Sequence, residues 1–370
     1  MSGPGIGVYI HWPYCARICP YCDFNVYRAG GRDSAALIAA IVADIKAHRA
    51  RIGARRADTI FFGGGSPSLL APDEIATLIG AVAHSFDLAS DAEITLEANP
   101  EDRAKFADFA AAGINRLSIG VQALRDDALK MLGRNHDAAG ARAAVEAAAQ
   151  TGARVSIDMI YARAGQTADE WRTELEAALA LPAEHFSLYE LTIKPGTAFE
   201  RAVHRGVLTP PGDEAAALLY EITQDICDAA GAPAYEISNH ARTLDARSRH
   251  NLIYWRGGEW LGVGPGAHGR INFDGARWAS EAAATPAAYI AAVSANAKGW
   301  SKAEKLSEAD CAHETLIMGL RAEGAPRAMV HAEKAPALER EGLIAIGEDR
   351  VSLTRAGRLL ADRIAAELAL

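Results

Sequence analysis

Six short apolar runs, at 6–11, 58–62, 93–97, 115–119, 154–159 and 185–191, alternate with stretches of helical spacing at 34–48, 72–84, 104–112, 138–150 and 168–180. This alternation constrains the fold more than any other feature. A strand, a helix and a second strand return to one sheet as a right-handed parallel crossover, so repeated units build a parallel sheet covered by helices. Six units fall short of the eight that close a full barrel, and the expected α/β core is an open, partial (β/α)6 barrel of the TIM type. Ligands of such sheets sit at the carboxyl ends of the strands.

The first run leads into a loop that carries Cys15, Cys19 and Cys22, with Pro13 and Pro20 discouraging a helix through it. A cubane [4Fe-4S] cluster has four irons, so three cysteines would leave one iron open to a further ligand. A structural zinc site could use the same cysteines with His11, but zinc ligands more often come as two separated pairs, and no second CxxC occurs. A disulfide framework suits five cysteines poorly. Cys227 and Cys311 lie in helical stretches and read as small buried hydrophobes.

Polar and glycine residues follow the later runs. Gly63, Gly64, Gly65 and Ser66 come after the second, Glu97 and Asn99 after the third, Gln122 and then Arg134 after the fourth, and Asp158 near the end of the fifth. Each alone is commonly a solvated loop residue or a cap. Together they could contact one ligand in one cleft from several sides.

Beyond residue 235, His250, Asn251, Tyr254 and Trp255 form an HNxxYW cluster, followed by a Gly-rich stretch at 262–269 that reads as a tight loop. The plain interpretation is a packed aromatic corner with a satisfied histidine. The functional one is a flat apolar wall with an imidazole able to ligate a haem iron.

The chain of 370 residues is half apolar, which is ample for one barrel-sized domain and an appendage. The expected divisions are 1–235 for the barrel, 236–300 for a connecting region with the HNxxYW cluster and the Gly-rich loop, and 301–370 for a small α-rich, winged-helix-like domain. That last part carries 10 Lys and Arg against 12 Asp and Glu, and the whole chain has a net charge of −9, so nucleic acid is not an expected partner. Docking to a protein, or peripherally to a membrane edge, stays open. Without a leader or a bilayer-spanning apolar run, the expected compartment is the cytoplasm.

The motifs CxxxCxxC with Asp23 and Phe24, GGGSPS, LEANPE, GINRLSIGVQ, LGRNH, HFSLYELT, HNLIYW and LGVGPGAHG together resemble the HemW haem-chaperone family of the radical SAM superfamily. The resemblance spans nearly the whole chain and is most specific before residue 270. It implies that Cys15, Cys19 and Cys22 hold a [4Fe-4S] cluster whose open iron is chelated by S-adenosylmethionine (SAM). It further implies that Gly64, Gly65 and Ser66 form the strip that holds the SAM amino group, with Ser66 in place of the usual Thr. Glu97, Gln122, Arg134 and Asp158 fall where relatives contact the SAM ribose, adenine or carboxylate, and Tyr9 where a tyrosine borders the cluster. His250, Asn251, Tyr254 and Trp255 become the haem-binding candidates.

The implied function is a haem chaperone that binds cluster, SAM and haem and passes haem to an acceptor protein. The alternative is the kindred oxygen-independent coproporphyrinogen III oxidase, which would decarboxylate porphyrinogen propionates through a SAM-derived radical. Those oxidases resemble this chain but carry a further cysteine at the position of Phe24, and an N-terminal extension. One departure is YARAGQT at 161–167, where relatives show YGLPGQT; the missing proline is expected to loosen the loop beside Asp158.

Overall fold

The computed structural model describes residues 5–30 and 34–369. All six expected strands are present: β1 (Ile6–Trp12), β2 (Arg56–Gly64), β3 (Asp87–Ala98), β4 (Arg116–Gln122), β5 (Arg154–Tyr161) and β6 (His185–Glu190). Alternating with Tyr9, Phe61, Glu97, Ser118, Asp158 and Ser187, the residues Val8, Ile60, Leu96, Ile119, Ile157 and Phe186 lie on the helix-covered face and are fully buried, as expected for parallel strands covered on both faces. Between them lie helices Ser34–Ile52, Pro72–Ser85, Phe106–Ala111, Ala138–Gln150 and Ala168–Leu179. The helical stretch expected at 104–112 is shorter, because Pro100–Lys105 winds as a 3-10 turn first.

Five further strands extend this sheet, while Tyr14–Cys15 and Tyr27–Arg28 pair separately beside the cysteine loop. The five are β7 (Asn239–Ala241), β8 (Trp260–Val263), β9 (His268–Phe273), β10 (Ala276–Ala282) and β11 (Trp300–Lys305). The order is β11-β10-β9-β8-β1-β2-β3-β4-β5-β6-β7, with β11 and β7 as edges, so the barrel is not closed. Strand β8 runs parallel to β1 and makes a seventh parallel strand; β9, β10 and β11 continue antiparallel. The region expected only to connect two domains therefore builds sheet, and the boundary expected at residue 301 falls inside β11. The mixed aromatic and charged composition of these strands hid them in the sequence, but Asp274 and Gly275 at the β9–β10 turn both have positive φ, 50° and 71°, the signature of a two-residue hairpin.

After β11 comes a unit with its own core of Leu316, Leu320, Leu338, Ile344, Val351 and Ile364. Helices Glu308–Arg321 and Ala335–Arg340 pack with a small antiparallel sheet of Ala325–Pro326, Arg350–Leu353 and Ile344–Ile346, the winged-helix-like arrangement expected. The final helix is split into Arg355–Arg358 and Ala361–Leu368, because Leu360 leaves helical geometry at φ −115°, ψ 20°; Leu370 lies outside the described residues. Among the described residues, no helix is long and apolar enough to cross a membrane.

Candidate functional site

The carboxyl ends of β2 to β6 converge on a cavity of about 580 Å3. Cys15, Cys19 and Cys22 all line it, and all are unpaired thiols. Their loop is fastened on several sides. The Asn25 side chain donates to the carbonyls of Pro265 (2.9 Å) and Ala284 (2.7 Å), and the Phe199 amide donates to Pro20 O at 2.9 Å. The Gly-rich loop approaches so closely that a Cβ on Gly266, where φ is +76°, would stand 2.4 Å from Asn25 Nδ2. Burial pushes the Cys22 thiol up to about 11 and raises Cys15 as well, so these thiols stay protonated until a cation compensates the thiolates.

The strip after β2 lies against the same loop. Gly65 N and Ser66 N donate to Trp12 O (2.7 Å) and Tyr14 O (2.8 Å), and a side chain on Gly65 would strike both carbonyls. Gly64 N donates to Glu97 Oε2 at 3.1 Å. Asn99 joins the walls: its amide donates to Ser66 Oγ (3.0 Å), and its Oδ1 accepts from Arg134 Nη2 at 2.6 Å. Arg134 also reaches Cys19 Sγ at 3.4 Å, while its buried Nε has no partner. Gln122, at φ 63°, fits beside Gly120, where a Cβ would come within 3.0 Å of its amide nitrogen.

Glu97 and Asp158 face each other deep in the cavity. Burial, then the charge of Asp158, pushes the Glu97 carboxyl up to about 8. Burial pushes Asp158 up to about 6, against hydrogen bonds from Ser187 and Ser118, the latter at 3.0 Å to each oxygen. A pair of acids held partly protonated is suited to a ligand that brings positive charge or hydroxyl donors.

The chemistry of this donor set fits an iron-sulfur cluster with SAM beside it: three free thiols on one loop, a guanidinium at one sulfur with a buried unpartnered nitrogen, and two carboxyls behind. The other member of the weighed zinc set, His11, has both ring nitrogens engaged, by Tyr9 Oη at 3.0 Å and Asn25 O at 2.9 Å.

Tyr9 therefore lies one layer below the cavity and reaches the cysteine loop through His11. The HNxxYW cluster is further away. It forms helix Arg249–Trp255, packed at the amino ends of the strands, opposite the cysteines. His250 is buried, with Nδ1 2.6 Å from Thr59 Oγ1 and Nε2 2.6 Å from Tyr254 Oη, and its ring stacks on Phe61. Both ring nitrogens are hydrogen-bonded, so an iron bound at His250 would displace the hydroxyl of Thr59 or of Tyr254. Asn251 continues the capped first turn, its amide donating to Ser248 Oγ, and Trp255 lies beneath Arg321 of the C-terminal unit.

The loop after β5 is clamped rather than loosened. Arg163, buried, pairs with Glu174 and donates to Ile160 O at 3.0 Å, and Glu174 accepts the Leu124 amide at 2.6 Å. Asn99, Ser118, Tyr189 and Lys194 also belong to the cavity wall; the first three lie in the motifs LEANPE, GINRLSIGVQ and HFSLYELT, though of these only Asn99 was singled out, and Lys194 carried no signal.

Residues 9–178 match the family model of the Radical SAM superfamily. A bovine relative, "Radical S-adenosyl methionine domain-containing protein 1, mitochondrial", is 40% identical over 85% of this chain and 72% of that one. The Mycobacterium tuberculosis protein "Heme chaperone HemW" is 38% identical over 98% of this chain and 95% of its own. The chain belongs to the HemW family of radical SAM proteins. Its fold is that of the Escherichia coli radical SAM enzyme coproporphyrinogen III oxidase (HemN), with a TM-score of 0.82 at 20% identity over 98% of this chain and 89% of that one. The sheet of this chain is parallel-rich and open.

Proposed function

We propose that this HemW-family chain is a haem chaperone that binds a [4Fe-4S] cluster, SAM and haem and passes haem to an acceptor protein. The observation that carries the cofactor part is the placement of all three loop thiols on one cavity with Arg134 at Cys19. In this reading Cys15, Cys19 and Cys22 hold the cluster, and Gly64, Gly65, Ser66, Glu97, Gln122, Arg134 and Asp158 hold SAM. When bound and reduced, the cluster would be able to supply a single electron to the SAM sulfonium, while in the chaperone reading SAM would serve as a structural or regulatory ligand. The protein's own part is to position SAM with the Gly64–Ser66 strip, to hold Arg134 through Asn99, and to keep a proton at Glu97 while the cavity is empty of cations.

The haem part is supported by the HemW relatives over nearly their full length and by Phe24, which lines the cavity as an exposed apolar ring. A reducing compartment suits five unpaired thiols, and the cytoplasm is the proposed one. The test is anaerobic incubation of the cluster-reconstituted protein with reductant, SAM and coproporphyrinogen III, followed by mass for porphyrin product and 5'-deoxyadenosine. Absence of decarboxylated product, with a Soret band on separate addition of haem, is expected. Decarboxylated product would instead establish the oxidase activity.

A further inference from the structure

Asn99 sits at the head of the 3-10 turn Pro100–Lys105, where an asparagine side chain ordinarily accepts from the turn's own amides. Here it makes no such bond. Its side chain turns instead into the cysteine cavity, where Nδ2 donates to Ser66 Oγ at 3.0 Å and Oδ1 accepts from Arg134 Nη2 at 2.6 Å. The backbone beneath is pinned: Asn99 N donates to Ser68 Oγ at 3.2 Å, and that hydroxyl donates to Asp102 Oδ2 at 2.7 Å.

Both partners of the side chain go on to a sulfur. Arg134 Nη1 reaches Cys19 Sγ at 3.4 Å, and the Ser66 hydroxyl is hydrogen-bonded to the Cys15 thiol. A single arc thus runs from Cys15 through Ser66, Asn99 and Arg134 to Cys19, leaving Cys22 outside it. Its sense is fixed, because a guanidinium has only donors: the Asn99 oxygen faces Arg134 and the Asn99 NH2 faces Ser66. Ser66 Oγ, accepting from Asn99, has its one proton left for Cys15. Both ends of the arc therefore present a donor to sulfur.

A donor at a ligand sulfur stabilises the extra negative charge of a reduced iron-sulfur cluster and raises its potential. Resting on the cluster part of the function proposed above, we propose that Asn99 is a positioning residue for the cluster's potential. Its amide aims the Ser66 hydroxyl at Cys15 and the Arg134 guanidinium at Cys19, and so keeps a bound [4Fe-4S] cluster easier to reduce. The role needs an amide and not merely a polar side chain. A carboxylate at position 99 has the same shape and would keep Arg134 in place as an ion pair, but it would accept from Ser66 and turn that hydroxyl away from Cys15. Arg134 Nε, buried and without a partner, takes no part in the arc and remains for a further acceptor.

The experiment is an anaerobic redox titration of the full, cluster-reconstituted chain without SAM, with the paramagnetic signal of the reduced cluster read against solution potential. It compares wild type, Asn99→Asp, Ser66→Ala, Ser66→Thr and the double variant Asn99→Asp with Ser66→Ala. Iron and sulfide content show that each carries the cluster. Asn99→Asp is expected to shift the reduction equilibrium about tenfold toward the oxidised cluster, which is about 59 mV for one electron. Ser66→Ala should lower the midpoint by less, and Ser66→Thr should retain it. The double variant should lie no lower than Asn99→Asp alone, because the arm to Cys15 is already turned away. If Asn99→Asp titrates like wild type, or if Ser66→Ala lowers the midpoint as far beside Asp as beside Asn, Asn99 does not orient the arc and the proposal is overturned while the cluster assignment stands. Ser66→Ala and Ser66→Thr leave residue 99 intact, so they decide the matter even where Asn99→Asp loses iron: an unchanged midpoint in Ser66→Ala overturns the proposal. A wild-type chain that retains no iron and sulfide after reconstitution refutes the cluster assignment and the proposal with it.

Discussion

At the residue scale, the most consequential pair is Glu97 and Asp158. Both carboxyls titrate above their ordinary range, so between the unfolded values near 4 and the folded values of about 6 and 8 the native state holds protons that the unfolded chain releases. The stability they contribute is complete at low pH and is lost as pH rises through those folded values. The ligand-free protein is therefore expected to melt at progressively lower temperature from about pH 4 to 8, and Glu97→Gln should flatten the upper part of that fall, between about pH 6 and 8. A melting profile unchanged by Glu97→Gln would show that the two acids are not coupled to folding. Both residues were legible in sequence because polar residues directly after strands are where an α/β sheet receives ligands. Their mutual repulsion was not, since β3 and β5 are brought to one cavity only by their pairing with β4 on either side. The same reason hid Asn99 as the bridge between Ser66 and Arg134, and it made His250 look accessible when its two ring nitrogens were already satisfied by Thr59 and Tyr254.

At the element scale, local pattern served the βα units well and the antiparallel extension poorly. Strands β1 to β6 carry apolar runs that announce themselves, whereas β8 to β11 mix Trp, Arg, Ser and Glu and were read as a connection. Their one clear signal was Asp274-Gly275 between them. Gly275→Val is expected to destabilise the protein by about 1–2 kcal/mol, because φ of 71° is costly for a β-branched residue; Gly275→Asn should cost much less. Chemical denaturation of the two variants compares them directly, and equal midpoints would mean that the turn does not hold its conformation. The loop after β5 gives the opposite lesson. Loss of the proline suggested slack, but the neighbouring Arg163 introduces a buried ion pair with Glu174, which also holds the Leu124 amide two residues beyond Gln122. Arg163→Ala would leave that carboxylate without its cation, at a cost of about 3–5 kcal/mol in the same assay.

At the scale of the whole molecule, two cores meet across a seam of charge. The C-terminal unit is joined to the barrel by Arg256–Glu323 (2.7 Å), Arg270 with Glu314 (2.6 Å), and Arg355 with Glu221 and Asp225 (2.7 Å each). Such partly exposed pairs contribute about 0–1 kcal/mol apiece and are screened by salt. Raising sodium chloride to about 1 M should speed proteolytic cutting near 306–307 while hydrogen exchange in β1 to β6 stays slow; equal protection of both would show that apolar contact holds the seam. The fastening of the cysteine loop has a different kind of consequence, one that concerns time. Asn25 is made early in synthesis, but its side chain is tied to Pro265 and Ala284, and β1 acquires one of its two neighbours only with Trp260–Val263. At about 5–20 residues per second, on the order of 13–50 seconds separate translation of the cysteines from that of the segment that sets their loop. The ribosome thus exposes three reactive thiols long before their cradle is complete, and metal delivery to the nascent chain would have to wait for the sheet to wrap back upon its first strand.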